Sequence, residues 1–142
     1  MEGKGLRARL EIDGNKGIKY EIQDFDYEFS LSYNNNYKPS DNAPHGGIFN
    51  FTILSPLMEN LIFHDWLLKK ERKSGKLILP ISHGTNLTYK KFMFYNAYCV
   101  RLSEQYSYRD TSRMQMRLSI SAQRIEILKD DSYVKFLNKA GF

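Results

Sequence analysis

The chain has 142 residues and a formal net charge of +5. That length makes one domain the default, and 42% apolar with 14% aromatic residues is enough for a core built from β formers. The single cysteine, Cys99, excludes an intramolecular disulfide, and no apolar run approaches the ~20 residues that span a bilayer. The charged opening MEGKGLRARLEIDG is not a secretory signal, so the expectation is a chain made in the cytoplasm, with no membrane partner.

Leu6, Ala8, Leu10 and Ile12 alternate with Arg7, Arg9, Glu11 and Asp13, the period of a strand with one buried face. Turn residues Asp13–Gly17 lead into a returning strand from Ile18. Its apolar phase slips by one near Gln23–Asp24, after which Phe25, Tyr27, Phe29, Leu31 and Tyr33 carry the apolar face. Such a slip reads as a bulge. The polar stretch NNNYKPSDNAPHGG, about fourteen residues from Asn34 to Gly47, is long for a plain connection.

Phe49, Phe51 and Ile53 mark the next strand. Ser55 and Pro56 read as a helix N-cap and first helical residue. Met58, Leu61, Ile62, Asp65 and Trp66 follow at helical spacing, with Trp66 the expected anchor. Lys69, Lys70, Arg72 and Lys73 gather at the far end, and Gly75 is the expected stop. KLILPIS is a short strand in which Pro80 suggests an edge or bulge.

A long strand, YKKFMFYNAYCVRLSEQYSY, changes phase near Asn96–Ala97. RDTSR turns it into MQMRLSISAQRIEI, Met114 to Ile127, about 46 Å if fully extended. Its phase also slips, because Ile125 and Ile127 follow an even-numbered apolar run. Gln115, Arg117, Ser119 and Ser121 form its polar face. The tail SYVKFLNKAGF suggests a short helix. The sum is a mainly β chain: a compact β-barrel or two-sheet sandwich of about seven to eight strands with one external α-helix.

Catalytic patterns fail one at a time. His45-Gly46-Gly47 has no G-x-S-x-G partner, and is better read as glycines leading into a strand. Ser82 and His83 are adjacent in a strand, so their side chains point to opposite faces. Three scattered histidines and one cysteine make no zinc pattern, and His64 beside Asp65 reads as a helix-surface residue. No phosphate loop occurs. The expectation is no enzyme activity, no metal and no cofactor. A small basic barrel that stacks nucleic-acid bases is the alternative, but Phe25, Tyr27, Phe29, Phe49 and Phe51 fall in step with the core.

Four stretches in order, GGIFNFTILS, FHDWLL, KKFMFYNAYCVRLSEQY and MQMRLSISAQRIEI, carry a resemblance. With ARLEIDG and YEIQDFDYEFS ahead of them, the chain over about residues 6–127 resembles the Hcp/TssD tube proteins of type VI secretion systems, in the version found in Bacteroidetes. It departs at Tyr37-Lys38-Pro39, where the family often has Gly-Arg-Pro.

The resemblance implies a β-barrel with one helix that assembles into hexameric rings. Rings stack into a tube with sheath, spike and baseplate partners and effector cargo, and the tube is exported without a cleaved signal. It also implies that the long loop, with Lys38, Asp41 and His45, contacts the next ring. The polar row Gln115, Arg117, Ser119 and Ser121 becomes a candidate for a lumen- or subunit-facing surface. Four strands from each of six copies, at ~4.8 Å spacing, make a wall about 115 Å around and roughly 37 Å across.

Overall fold

In the computed structural model, residues 7–14, 18–30, 36, 45–56, 61–129 and 132–137 are described. Among these residues, eight strands and one helix run in the order β1 (Arg9–Ile12), β2 (Tyr20–Ser30), β3 (His45–Leu54), α1 (Ile62–Leu68), β4 (Lys73–His83), β5 (Asn86–Ser107), β6 (Asp110–Ser121), β7 (Arg124–Lys129) and β8 (Ser132–Leu137). The mainly β architecture with one helix is as the sequence leads one to expect.

Two sheets share strand β5. Its first half pairs with β4 on one side and β7 on the other; its second half pairs with β6. The bend falls at Asn96, which takes a left-handed backbone (φ 53°). Its N–H donates to Ser74 Oγ at 3.1 Å and its side-chain amide to Gln123 at 3.0 Å. Opposite it, β6 ends at Ser121 and β7 begins at Arg124, so Ala122 and Gln123 turn the partner strand through the same corner. The phase changes near Asn96 and before Ile125 are therefore one feature: the place where a two-strand ribbon passes from one sheet to the other. The slip near Gln23 is a register shift between Ile22 and Asp24 against β3.

The first sheet holds β1, β4, the first half of β5, β7 and β8; the second holds β2, β3, β6 and the second half of β5. A short pairing of β1 with β2, Arg9 opposite Glu21 and Leu10 opposite Tyr20, closes the barrel. Inside it, Phe49, Phe51 and Ile53 meet Met116, Leu118, Ile120, Phe92 and Phe94. Phe25 and Tyr27 each lie 4.9 Å, centroid to centroid, from Phe92. Phe25, Tyr27, Phe29, Phe49 and Phe51 are thus packed in or against the core. Pro80 sits past Ile78, the last residue of β4 that pairs with β1, so among the described residues the strand has one bare side there, as expected of proline.

Four local expectations are corrected. The described helix α1 begins at Ile62 rather than Pro56, preceded by Leu61 with no side-chain cap, and Ser55 bonds across to β5; residues 57–60 lie outside the described residues. Phe63 and Trp66, three apart on one face, are the buried helix residues, while Leu61 is exposed; Met58 lies outside the described residues. Gly75 does not stop the helix, which ends at Leu68 with Lys70 in a left-handed conformation (φ 54°). Gly75 lies inside β4, opposite Ile12 and Phe94. Finally, the tail forms a strand. Tyr133, Val134 and Phe136 are β formers, six residues are too few for an isolated helix, and β7 offers a bare edge that β8 pairs along its whole length.

Candidate functional site

The polar face of the second sheet is built from strand alternation. On β6, Met116, Leu118 and Ile120 are buried, and Gln115, Arg117, Ser119 and Ser121 lie together on the opposite face. Register then extends each of these residues across the sheet. Ser119 stands between Asn50 of β3 and Arg101 of β5, and Asn50 stands beside Asp26 of β2. Ser119 Oγ donates to Asn50 Oδ1 at 2.6 Å, and Asn50 Nδ2 donates to Asp26 Oδ1 at 3.0 Å. A hydrogen-bonded row therefore crosses three strands, with Arg101 next in line. Parallel rows place Asp24, Thr52, Arg117 and Ser103 on one side of it, and Glu28, Ile48, Ser121 and Tyr98 on the other. The carboxylates Asp24, Asp26 and Glu28 all stand on β2, and the guanidiniums on β6 and β5. This face is concave around Asp26, Ile48, Asn50, Arg101 and Ser119, enclosing about 510 Å³.

Both lateral edges of this sheet are bare over most of their length. Among the described residues, no strand pairs with the outer side of β2 beyond Ile22 or with the outer side of β5 beyond Ala97. Bare edges of this length are usually covered or blunted in a monomer. The strand directions alternate from β2 through β3 and β6 to β5, so β5 runs opposite to β2.

Behind the sheet, α1 is fixed by Trp66, whose indole N–H donates to the Ala97 carbonyl at 2.8 Å and whose ring stacks on Phe94. A second attachment was not visible in the sequence. Glu104 of the bare edge accepts from Ser55 Oγ at 2.9 Å, and its other carboxylate oxygen lies 3.1 Å from His64 Nε2. Serine and histidine meet the same carboxylate here rather than each other, so the trio is a clasp on the edge strand and supplies no activated nucleophile. Cys99 is buried; loss of hydration pushes its thiol up to about 11. Among the described residues no cluster of three His, Cys, Asp or Glu residues could hold a metal, and no helix is long and apolar enough to cross a membrane.

The residues singled out from the sequence do not form one cluster. Gln115, Arg117, Ser119 and Ser121 share the polar face; Trp66 lies buried behind the sheet. Lys38 and Asp41 fall outside the described residues, and His45 enters only through its backbone, as the first residue of β3 opposite Ser30.

Comparison with known proteins adds the family. No curated protein sequence matches the chain. Among solved structures, it is similar to Hcp1 from Flavobacterium johnsoniae (19% identity, TM-score 0.68, covering 93% of this chain and 99% of that one). It is also similar to Hcp1 from the E. coli EAEC 042 pathovar (10%, TM-score 0.71, 92% and 96%) and to the secreted protein Hcp3 from Pseudomonas aeruginosa (11%, TM-score 0.64, 94% and 99%). The structural likeness establishes the shared fold. The family model for hemolysin coregulated protein Hcp (TssD) matches residues 4–135, and the chain therefore belongs to the Hcp (TssD) family of type VI secretion tube proteins.

Proposed function

We propose that this protein is the ring-forming structural subunit of a type VI secretion tube, with the polar face of its second sheet turned to the lumen. The observation that carries the reading is a four-stranded sheet with two bare edges and alternating strand direction. The β5 edge of one copy can receive the β2 edge of the next in antiparallel pairing, and the alternation continues unbroken around a ring. The contact is head-to-tail between neighbours and closes on itself when the rotation per copy fits a whole turn. Six copies make a wall roughly 37 Å across. Gln115, Arg117, Ser119 and Ser121 then line a wet channel, which agrees with the polar row they form on β6.

The helix stays on the outside, and the Glu104 clasp steadies the strand that forms the seam. Charge assists closure: β2 carries Asp24 and Asp26, and the opposite edge carries Arg101. Native mass spectrometry at micromolar concentration is expected to show hexamers. A monomer or dimer across pH and salt would remove the ring from the account.

The connection between β2 and β3, with Lys38, Asp41 and His45, is proposed to reach the next ring. Deleting residues 35–43 is expected to leave rings intact while tubes and export are lost. Long tubes from the shortened protein would take that segment out of stacking. Effector cargo in the lumen, with sheath, spike and baseplate around the tube, completes the reading, and export proceeds through the apparatus without a cleaved signal.

A further inference from the structure

Two surfaces at opposite ends of the second sheet have complementary chemistry. At one end β5 and β6 run on past the point where Leu54 of β3 last pairs with Gln115. They meet at Ser107 and Asp110, with Tyr108 and Arg109 as the turn. Tyr106 and Tyr108 are 63% and 75% exposed. The Arg109 guanidinium lies 5.7 Å from the centre of the Tyr108 ring, its Nε donates to the Tyr108 hydroxyl at 3.4 Å, and its backbone N–H donates to Ser107 Oγ at 3.3 Å. The tip is thus an ordered knob that is aromatic and cationic.

The other end holds the concave part of the polar face. Its rim exposes two aliphatic side chains, Ile48 and Val100, beside the carboxylates of Asp26 and Glu28. Asp26 is already bonded to Asn50, and among the described residues no cation pairs with Glu28. Exposed apolar groups around a carboxylate with no cation partner among the described residues suit an aromatic ring that brings a cation with it. From the row of Ile48 to that of Leu54 is about 20 Å along the strands, so a tip cannot fold back into the cup of its own copy. It can enter the cup of another copy, and such a contact repeats along the strand direction without closing.

We propose that the Tyr108–Arg109 tip of one copy seats in the Ile48–Val100 cup of a second copy, with Arg109 against Glu28, and that this contact joins successive rings. The contact between copies stands on the two surfaces; its place between rings rests on the ring reading above.

The test is a pair of engineered cysteines, Tyr108→Cys with Ile48→Cys, oxidised and run on a non-reducing gel. Native Cys99 stays out of the exchange because it is buried and its thiol is pushed up to about 11. The double variant is expected to give a ladder of covalent multimers and each single variant none. In parallel, Arg109→Glu is expected to raise the concentration needed for tubes about tenfold, the effect of losing one well-placed charge pair, and adding Glu28→Arg is expected to restore it. No ladder at any concentration, or a charge reversal without effect on tubes, overturns the contact. Native mass spectrometry of the same samples separates the two ideas. Hexamers without a ladder retain the ring and discard the tip contact; a ladder without hexamers does the reverse.

Discussion

Trp66→Ala is expected to lower stability by ~3–5 kcal/mol, the range for emptying a large aromatic from a packed core. Trp66 is fully buried, edges Phe63 at 6.3 Å between ring centres and stacks on Phe94 at 6.2 Å. Its indole N–H also satisfies the Ala97 carbonyl, a group at the corner where β5 changes sheets. Removing the ring leaves that carbonyl short of a donor as well as a cavity. Trp66→Phe keeps most of the apolar contact and loses the hydrogen bond, so it should cost less. Urea denaturation of the three proteins checks the order. Equal midpoints for Trp66→Ala and the parent would mean the helix is not anchored by this face.

Gly75→Ala is the second large effect, and its cause is backbone proximity. A Cβ at Gly75 would lie 2.3 Å from the Glu11 carbonyl oxygen, 2.9 Å from Phe94 Cζ and 3.1 Å from Ile12 Cα. Two of these are backbone atoms of β1, which pairs with β4 through Gly75 itself. The methyl therefore forces β1 away from β4 or deforms the Phe94 packing beneath. The expected cost is ~1–3 kcal/mol, towards the upper end because a strand cannot swing aside as a side chain can. Gly84→Ala is a poor control, since Gly84 has a positive φ (59°) although nothing lies near it; Ser82→Ala, on an exposed position of the same strand, is a better one. Thermal unfolding that moves as little for Gly75→Ala as for Ser82→Ala would contradict this close approach.

The sequence made the strands legible wherever one face is buried, because alternation is a local signal. It also made the bends legible: the slips at Gln23, at Asn96 and before Ile125 each mark a bulge or corner. What it hid is non-local. Ser55 and Gly75 carry the chemistry of a helix cap and a helix stop, but each is used elsewhere. Ser55 bonds Glu104, 49 residues away, and Gly75 admits the backbone of β1. The pairing of β7 with β8 overrode a weak helical pattern in the tail for the same reason, since an available edge outweighs local propensity.

The polar row on β6 was readable from Gln115, Arg117, Ser119 and Ser121 alone. Its continuation through Asn50 to Asp26 was not, because it depends on register between strands far apart in the chain. Nor were the two bare edges, which appear only once every strand has found its partners.

Electron cryo-microscopy of the purified protein shows directly which face of the sheet lines the ring. Six-membered rings are expected, with β2, β3, β6 and the second half of β5 forming a continuous antiparallel inner wall roughly 37 Å across between backbones, Ser119 facing the channel and α1 on the outside. Rings that turn the Ser119 face outward, or join copies through the β8 edge, would contradict it.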